Sequence, residues 1–296
     1  MLFSLAKARS RIAQEKAFAL GAPAILWQVL FFYLPLFLTV SLSFVHLSEL
    51  GSLKELTLSH FAHLIHPTYF AVLCSSLGLS ALTALGSLLI AYPLAYFIAF
   101  QPTLKKNLFL ILLILPFWAN FLLHVYSWFF LLQREGFLNY ALQALGLTRH
   151  PISFLNSFFA IVIVMIYHYL PFMALPIFSS LERFDRGLLE ASRNLGASWK
   201  QTISHIMLPL TLPAIRTGFF IVFISSFGEF IIPELMGGHN FYFAGSVISH
   251  YILGDATEGI GAAFMVISCA TLAFASWGIL RLFAFFTAML TKQRER

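Results

Sequence analysis

Six stretches of this chain are apolar over lengths that suit a lipid bilayer, and its polar residues gather between them. About 20 mostly apolar residues are enough to cross the hydrocarbon core as a helix. Ala22–Val45, the uncharged run within Phe70–Phe100, Leu108–Leu132, Phe154–Leu181, Leu212–Met236 and Ile260–Leu280 each meet that length. Pro93, Pro116, Pro171 and Pro176 fall inside these runs. Proline is tolerated in membrane helices where neighbouring helices satisfy the freed carbonyls, so the pattern predicts kinked helices in a packed bundle. The fifth run is unusual in carrying Arg216, Glu229 and Glu234. The segment between the fourth and fifth runs, 182–211, is unusual in another way: it is long, charged and helix-prone.

Composition agrees with the pattern. Hydrophobic residues make up 59% of the chain and charged residues 10%, against roughly 25% charged in soluble domains. The expected fold class is therefore all-α, a polytopic membrane protein with six transmembrane helices. Lys7, Arg9, Arg11 and Lys16 precede the first run as they would in a signal peptide. That run exceeds the roughly 7–15 residues of a signal h-region and no A-x-A-like site closes it, so it reads as a retained helix. Cys74 and Cys269 lie in apolar runs without C-x-x-C spacing, and read as small packing residues rather than a disulfide or a zinc site.

The placement of charge sets the orientation. With six spans, the N-terminus, the 101–107 loop, the 182–211 segment and the C-terminus share one side. That side holds 15 of the 18 lysines and arginines, leaving Lys54, Arg134 and Arg149 on the other. Basic residues mark the cytoplasmic side, so both termini and the 182–211 segment are expected there. The expected layout is a cytoplasmic segment 1–21, a transmembrane domain 22–290 and a cytoplasmic tail 291–296. The net charge of +6 is accounted for by this bias and does not call for nucleic acid.

Within the 182–211 segment, Leu181, Phe184, Leu188, Leu189 and Leu195 fall near helical spacing, with Arg183, Asp185, Arg186, Glu190 and Arg193 between them. Gly196 offers a C-cap or a sharp turn. Ala197–Ile206 can form a second short helix carrying Trp199 and Lys200, after which Pro209 and Pro213 are expected to redirect the chain into the fifth span. By spacing alone, this knob suits either a hairpin on lipid headgroups or a docking element for a cytoplasmic partner.

Glu190-Ala191-Ser192, three residues, Gly196, nine residues, then Ile206-Met207-Leu208-Pro209 resembles the EAA loop of type I ABC importer permeases, with Ser192 replacing the second alanine. In that family the loop forms coupling helices seated in a groove of the ATP-hydrolysing subunit. The resemblance implies the same contact for Glu190, Ala191, Ser192, Gly196, Trp199 and Pro209. The residues suit it: the glycine permits the turn, the alanine close approach, and the carboxylate can pair with a basic group. The chain has no G-x-x-x-x-G-K-[ST] loop to hold ATP phosphates, so an ATPase would be a separate subunit and this chain not itself an enzyme. The implied partners are a homologous second permease, a dimer of ATP-binding subunits and an external substrate-binding protein, at the bacterial inner membrane. No cofactor is implied.

"PFWANFLLHVYSW" (Pro116–Trp128), "YHYLPFMALPIFSSLERFDRGLLEAS" (Tyr167–Ser192) and "FGEFIIPELMGG" (Phe227–Gly238) resemble the spermidine/putrescine branch of these permeases. His124 departs from that branch, where many relatives carry arginine. A polyamine is a flexible polycation, and its path should offer carboxylates and aromatic faces. Glu229 and Glu234, with Tyr126, Trp128, Tyr167 and Tyr169, are the candidates. On one continuous helix Glu234 would lie roughly 140° around from Glu229. Arg216 would be roughly 20 Å from Glu229 along it, so a partner for Glu229 has to come from another helix or subunit. The aromatic residues equally suit an interfacial belt or packing.

His60, His63 and His66 recur at every third residue as on one helical face, but no cysteine or carboxylate joins them in a ligand set, and they read as loop histidines. Two alternatives to a polyamine importer stay open: the same importer with another cargo, such as a metal–chelate or a cofactor, and an ion-gradient-driven secondary transporter. The latter would leave the 182–211 loop without a role.

Overall fold

The computed structural model describes residues 21–47, 53–118, 120–254 and 258–294. In chain order its main elements are α1 (Gly21–Leu42), a ribbon of β1 (Val45–Leu47) and β2 (Leu53–Leu56), α2 (Pro67–Ala99), α3 (Thr103–Trp118), α4 (Phe121–Leu132), α5 (Phe137–Ala144) and α6 (Phe158–Glu182). Then follow α7 (Arg186–Asn194), α8 (Trp199–Phe227), α9 (Ile231–Gly237), α10 (Ala244–Leu253) and α11 (Glu258–Arg294). The chain divides into two units, Met1–Ile65 with Tyr251–Val266, and His66–His250 with Ile267–Arg296.

In the first unit, α1 is apolar over its whole length and its side chains are mostly exposed. The antiparallel ribbon pairs Val45 with Leu56 and His46 with Glu55. A one-turn helix, Ser59–His63, follows, with His60 Nδ1 3.2 Å from the Ser43 carbonyl oxygen. The basic N-terminal residues Lys7, Arg9, Arg11 and Lys16 lie outside the described residues.

The second unit is organised around α2, α6 and α8. Lipid tails are as apolar as leucine, so helices in a membrane associate through close van der Waals contact between small residues rather than through hydrophobic burial. The sequence of α2 supplies such a face: Ser76, Ser80, Thr83, Ala84, Ser87, Ala91 and Ala95 are all buried. Opposite Gly86 stands Ile166 of α6, where a Cβ would collide. Gly218 of α8 makes the matching approach to Met173, whose carbonyl oxygen would lie 3.1 Å from an added Cβ. The serine hydroxyls are absorbed within the bundle: Ser76 and Ser80 donate to carbonyls one turn back, and Ser87 to the Ile166 carbonyl. Ser76 Oγ also accepts from the Ala244 amide at 2.8 Å, tying the start of α10 to α2. On the C-terminal helix, Leu272, Ala275, Ile279 and Phe283 pack against this core.

Among the described residues, five single helices are long and apolar enough to span a membrane, and a sixth crossing is available only if a bent pair counts as one. That pair is the expected third span. Instead of one helix over Leu108–Leu132, α3 stops at Trp118 and the chain restarts as α4, with Thr103–Trp118 and Phe121–Ala144 bent by 93°. Asn120 is the local cause: its backbone is non-helical and its side chain accepts the Leu122 amide at 2.9 Å, capping the new helix.

The fifth span also differs from expectation. It was expected over Leu212–Met236; the helix actually runs from Trp199 to Phe227 and then breaks. The second half of the 182–211 segment is therefore no separate helix, and Pro209 and Pro213 do not turn the chain. A π-turn at Ile203–Met207, closed by the Leu208 amide on the Ile203 carbonyl, carries the helix past Pro209. The α2 and α6 helices likewise run through Pro93, Pro171 and Pro176.

Two smaller expectations change. Cys74 and Cys269 are free and exposed on the helix surfaces rather than packed inside. His66 is not on the Ser59–His63 helix; it caps α2, accepting the Thr68 amide. Among the described residues no group of three or more His, Cys, Asp or Glu is placed to hold a metal ion.

Candidate functional site

Two constructions in the second unit carry the predicted site residues. The first is the loop around Gly196. Asp185 opens α7 by accepting the Gly187 amide at 2.9 Å. The helix closes where Gly196 takes φ +76°, a conformation costly for residues with a Cβ. There the Gly196 amide donates to the Arg193 carbonyl at 2.9 Å and the Ala197 amide to the Ser192 carbonyl at 3.0 Å, the two bonds of a Schellman motif. The chain re-enters a helix at once, through a capping box in which the Ser198 amide donates to Gln201 Oε1 and the Gln201 amide to Ser198 Oγ.

Ser192 is 4% exposed. Its hydroxyl lies 2.9 Å from that of Thr202, which is also buried, so a direct bond joins the arms on either side of Gly196. Apolar residues around α7 divide: Leu181 at the end of α6 and Leu189 are buried, while Leu188 is exposed and Leu195 beyond the helix is 87% exposed. Glu190, Ala191 and Gly196 are exposed with them. The outward surface therefore combines a carboxylate, small residues and two leucines, a composition fit for docking rather than for free solvent.

Both arms of the loop lean on the end of α2. The Arg186 guanidinium lies 5.3 Å from the Phe100 ring centre, and Trp199 meets Tyr96 edge-on at 5.5 Å. Tyr96 and Phe100 are themselves 4.6 Å apart, which makes a continuous ladder. Trp199 is thus partly a packing residue, although 45% of it stays exposed. Lys106 and Glu182 form an ion pair joining the first turn of α3 to the end of α6. Pro209 lies within α8, beyond the π-turn and half-buried, and is not part of the outward surface.

The second construction is the break after Phe227. The Glu229 carboxylate accepts the amides of Ile231 at 3.1 Å and Ile232 at 3.4 Å, the free donors at the start of α9. Tyr169 of α6 donates its hydroxyl to the other carboxylate oxygen at 3.2 Å. The partner that Glu229 needs is therefore supplied by another helix of the same chain. Pro233 sits in the first turn of α9, where a missing amide costs nothing, whereas a continuous helix would have set its ring against the Glu229 carbonyl. Gly245 accommodates the bend: a Cβ there would stand 2.5 Å from the Gly228 carbonyl oxygen and 3.0 Å from that of Glu229.

Of the expected pathway residues, the structure brings together Trp128 and Tyr167, with ring centres 5.0 Å apart. Tyr167 continues to His124 at 4.9 Å, His124 to His168 at 6.1 Å, and His168 to Tyr169 at 5.0 Å. An unbroken series of rings thus runs from Trp128 to the residue that holds Glu229. Tyr126 stands apart, exposed, with Phe129 as its ring neighbour. Glu234 is separate from Glu229, since the two are not on one helix; it faces His250 Nε2 at 4.0 Å, at a half-exposed position. Sequence reasoning attached no chemistry to His168, and took His124 only as a departure from a pattern. It also missed Tyr96 and Phe100, which only long-range packing links to the loop, and Thr202, whose contact with Ser192 depends on how sharply the chain turns at Gly196.

A sharply closed loop on a bundle of apolar helices, with a half-buried carboxylate held by a tyrosine of another helix, is an arrangement suited to a membrane transport subunit. The chain belongs to the family of binding-protein-dependent transport system inner membrane components, whose model matches residues 89–287. It is similar to the spermidine/putrescine transport system permease protein PotB of Salmonella typhimurium, at 39% identity over 80% of this chain and 83% of that one. The corresponding PotB of Escherichia coli is 38% identical over 80% of this chain and 86% of its own length. In fold the chain matches a solved bacterial ABC transporter involved in the import of the acidic polysaccharide alginate, with a TM-score of 0.71 at 20% sequence identity, covering 97% and 99% of the two chains. The chain is a multi-pass inner-membrane protein.

Proposed function

We propose that this chain is the permease subunit of an ATP-driven polyamine importer, taking up spermidine or putrescine. ATP hydrolysis belongs to a separate subunit, and the chain works with a second permease, an ATPase dimer and an external substrate-binding protein. Both termini and the loop around Gly196 face the cytoplasm, as the excess of lysine and arginine on that side requires. Glu190, Ala191 and Gly196 meet the ATPase, with Leu188 and Leu195 beside them. Ser192 and Trp199 hold the loop in shape, Ser192 through Thr202 and Trp199 through Tyr96. Pro209 acts one step back, where the π-turn joins the loop rigidly to α8. Closure of the ATPase dimer would move the loop, and the ladder to Tyr96 and Phe100 would carry that motion into α2, at the heart of the bundle.

One observation carries the cargo reading: a half-buried carboxylate, Glu229, held by Tyr169 at the end of a series of aromatic rings. A charge in the membrane is costly and is retained where it serves a path. Carboxylate and ring faces together suit a polycation. The similarity to the two PotB proteins supports the same cargo. Fold alone would not, since the alginate transporter shares the fold and takes up an acidic polysaccharide.

The test is uptake into proteoliposomes holding the full complex with its binding protein inside the assay medium. Polyamine-stimulated ATP hydrolysis with accumulation of labelled spermidine or putrescine is the expected result. A complex that assembles and hydrolyses ATP but ignores polyamines would keep the importer and reject the cargo, returning the metal–chelate and cofactor alternatives. Uptake by the chain alone, driven by an ion gradient, would reject the importer.

A further inference from the structure

Within the ring series, two atoms are out of keeping with their surroundings. His124 Nε2 and His168 Nδ1 are buried and have no hydrogen-bond partner. The two rings are 6.1 Å apart. Phe117 packs edge-on against His124 at 5.9 Å and lies 5.6 Å from His168, and Phe121 meets His168 at 5.1 Å. The neighbouring phenylalanine rings offer no acceptor or donor to these atoms, so packing does not explain the nitrogens. Buried polar atoms are otherwise paired, and an unpaired one calls for a reason.

We propose that His124 and His168 are a second binding point for the substrate, taking one ammonium group of a polyamine while Glu229 takes another. This rests on the polyamine reading above. In the closed packing observed, the two nitrogens are covered by rings. Parting of those rings as the helices move would uncover a pair of lone pairs inside an aromatic wall. No partner fixes the tautomer of either ring at these atoms, so both can present an acceptor. An ammonium group brings N–H donors for the two nitrogens and a positive charge for the ring faces. Tyr169 spans the interval between the two points: its ring lies 5.0 Å from His168 and its hydroxyl is on Glu229. A molecule with two ammonium groups separated by methylenes matches two polar points separated by an aromatic ring. A carboxylate-bearing solute does not, because it would meet the Glu229 charge.

The test compares putrescine with mono-acetylputrescine, in which one ammonium is replaced by a neutral amide, in proteoliposomes of the full complex. Uptake is normalised to assembled complex, for wild type and for the double variant His124→Phe, His168→Phe. Loss of hydrogen bonds to a charged group corresponds to a fall of about tenfold in putrescine uptake, with little change for the acetylated compound, so that discrimination between the two collapses. Unchanged rate and unchanged discrimination in the double variant would overturn the inference while leaving the polyamine importer standing. Failure of the wild-type complex to take up putrescine would remove both. Should the phenylalanine variant not assemble, the double variant His124→Gln, His168→Gln, which keeps acceptors at both places, decides: retained discrimination supports the pair, and lost discrimination overturns it.

Discussion

Gly196 and Gly228 both follow the end of a helix, yet the turns they make are held in different ways. At Gly196 the bonds are local: the Schellman pair, the capping box and the Ser192–Thr202 contact all lie within Ser192–Thr202. At Gly228 the backbone stays at φ −90°, and the turn is held by a side chain and by distant elements. The Glu229 carboxylate takes the amides of the next helix, Tyr169 comes from 60 residues away, and Gly245 makes room. A turn closed by its own neighbours is a shape that can be pushed as a unit, which suits coupling. A turn held by a charged group shared with another helix responds to whatever enters between them, which suits a path.

The contrast can be broken first at Gly196. Gly196→Val puts a β-branched residue at positive φ, at a cost of roughly 1–2 kcal/mol or more. No atom lies within 4 Å of an added Cβ, so the effect comes from the backbone alone. Co-purification with the ATPase subunit should fall by about tenfold or more, while the helical content of the purified chain, read by circular dichroism, stays as it was. An unaffected complex would show that the sharp turn is not what the ATPase reads.

Glu229→Gln probes the other turn. The amide oxygen can still accept the Ile231 amide, so the break should persist, and removing a half-buried charge lowers a desolvation cost. The expected outcome is an unfolding temperature equal to or above that of the wild type, together with polyamine uptake reduced by about tenfold, the loss of one charge-assisted contact. Reduced stability with intact uptake would make Glu229 a structural residue.

Trp199→Ala sharpens the view of how the loop is joined to the bundle. It removes the edge-on contact with Tyr96, of the kind worth about 0.5–1.5 kcal/mol beyond burial. ATP hydrolysis should become several-fold less responsive to loaded binding protein, with the ATPase still attached. Detachment of the ATPase would instead place Trp199 in the docking surface itself.

Ser192→Ala should do least. The Thr202 hydroxyl keeps a bond to the Ser198 carbonyl at 3.3 Å, so no buried donor is abandoned. A loss of about 1 kcal/mol or less is expected, read as a small fall in the unfolding temperature with uptake within about twofold of wild type. A large loss of transport would mean that the hydroxyl pair sets the angle between the two arms.

Much of this was legible from residue order. Hydropathy located four crossings nearly to their ends, because an apolar run of sufficient length has one stable form in lipid. The loop at Gly196 was legible as a glycine among amphipathic residues, while the E-A-S…G…P spacing did not separate exposed Glu190 and Ala191 from buried Ser192 or from Pro209 inside α8. The two misplaced spans share a cause. Asn120 and Glu229 each use a side chain to cap a new helix in the middle of an apolar run, and hydropathy averages such a residue away. The paths of Pro209 and Pro213 were misread because the π-turn that bypasses them is a backbone adjustment without a sequence signature of its own.

By itself the sequence determined that this is a multi-pass membrane protein and that one long polar segment interrupts its apolar runs, because each of these depends on composition or spacing within a short stretch. Only the tertiary structure decided that Tyr169 holds Glu229, that Glu229 and Glu234 part company, that Tyr126 leaves the ring series, and that His124 and His168 meet with unpaired nitrogens. Those are contacts between residues far apart in the chain, set by how closely small residues on α2, α6 and α8 let the helices approach, and that distance is written in no single segment.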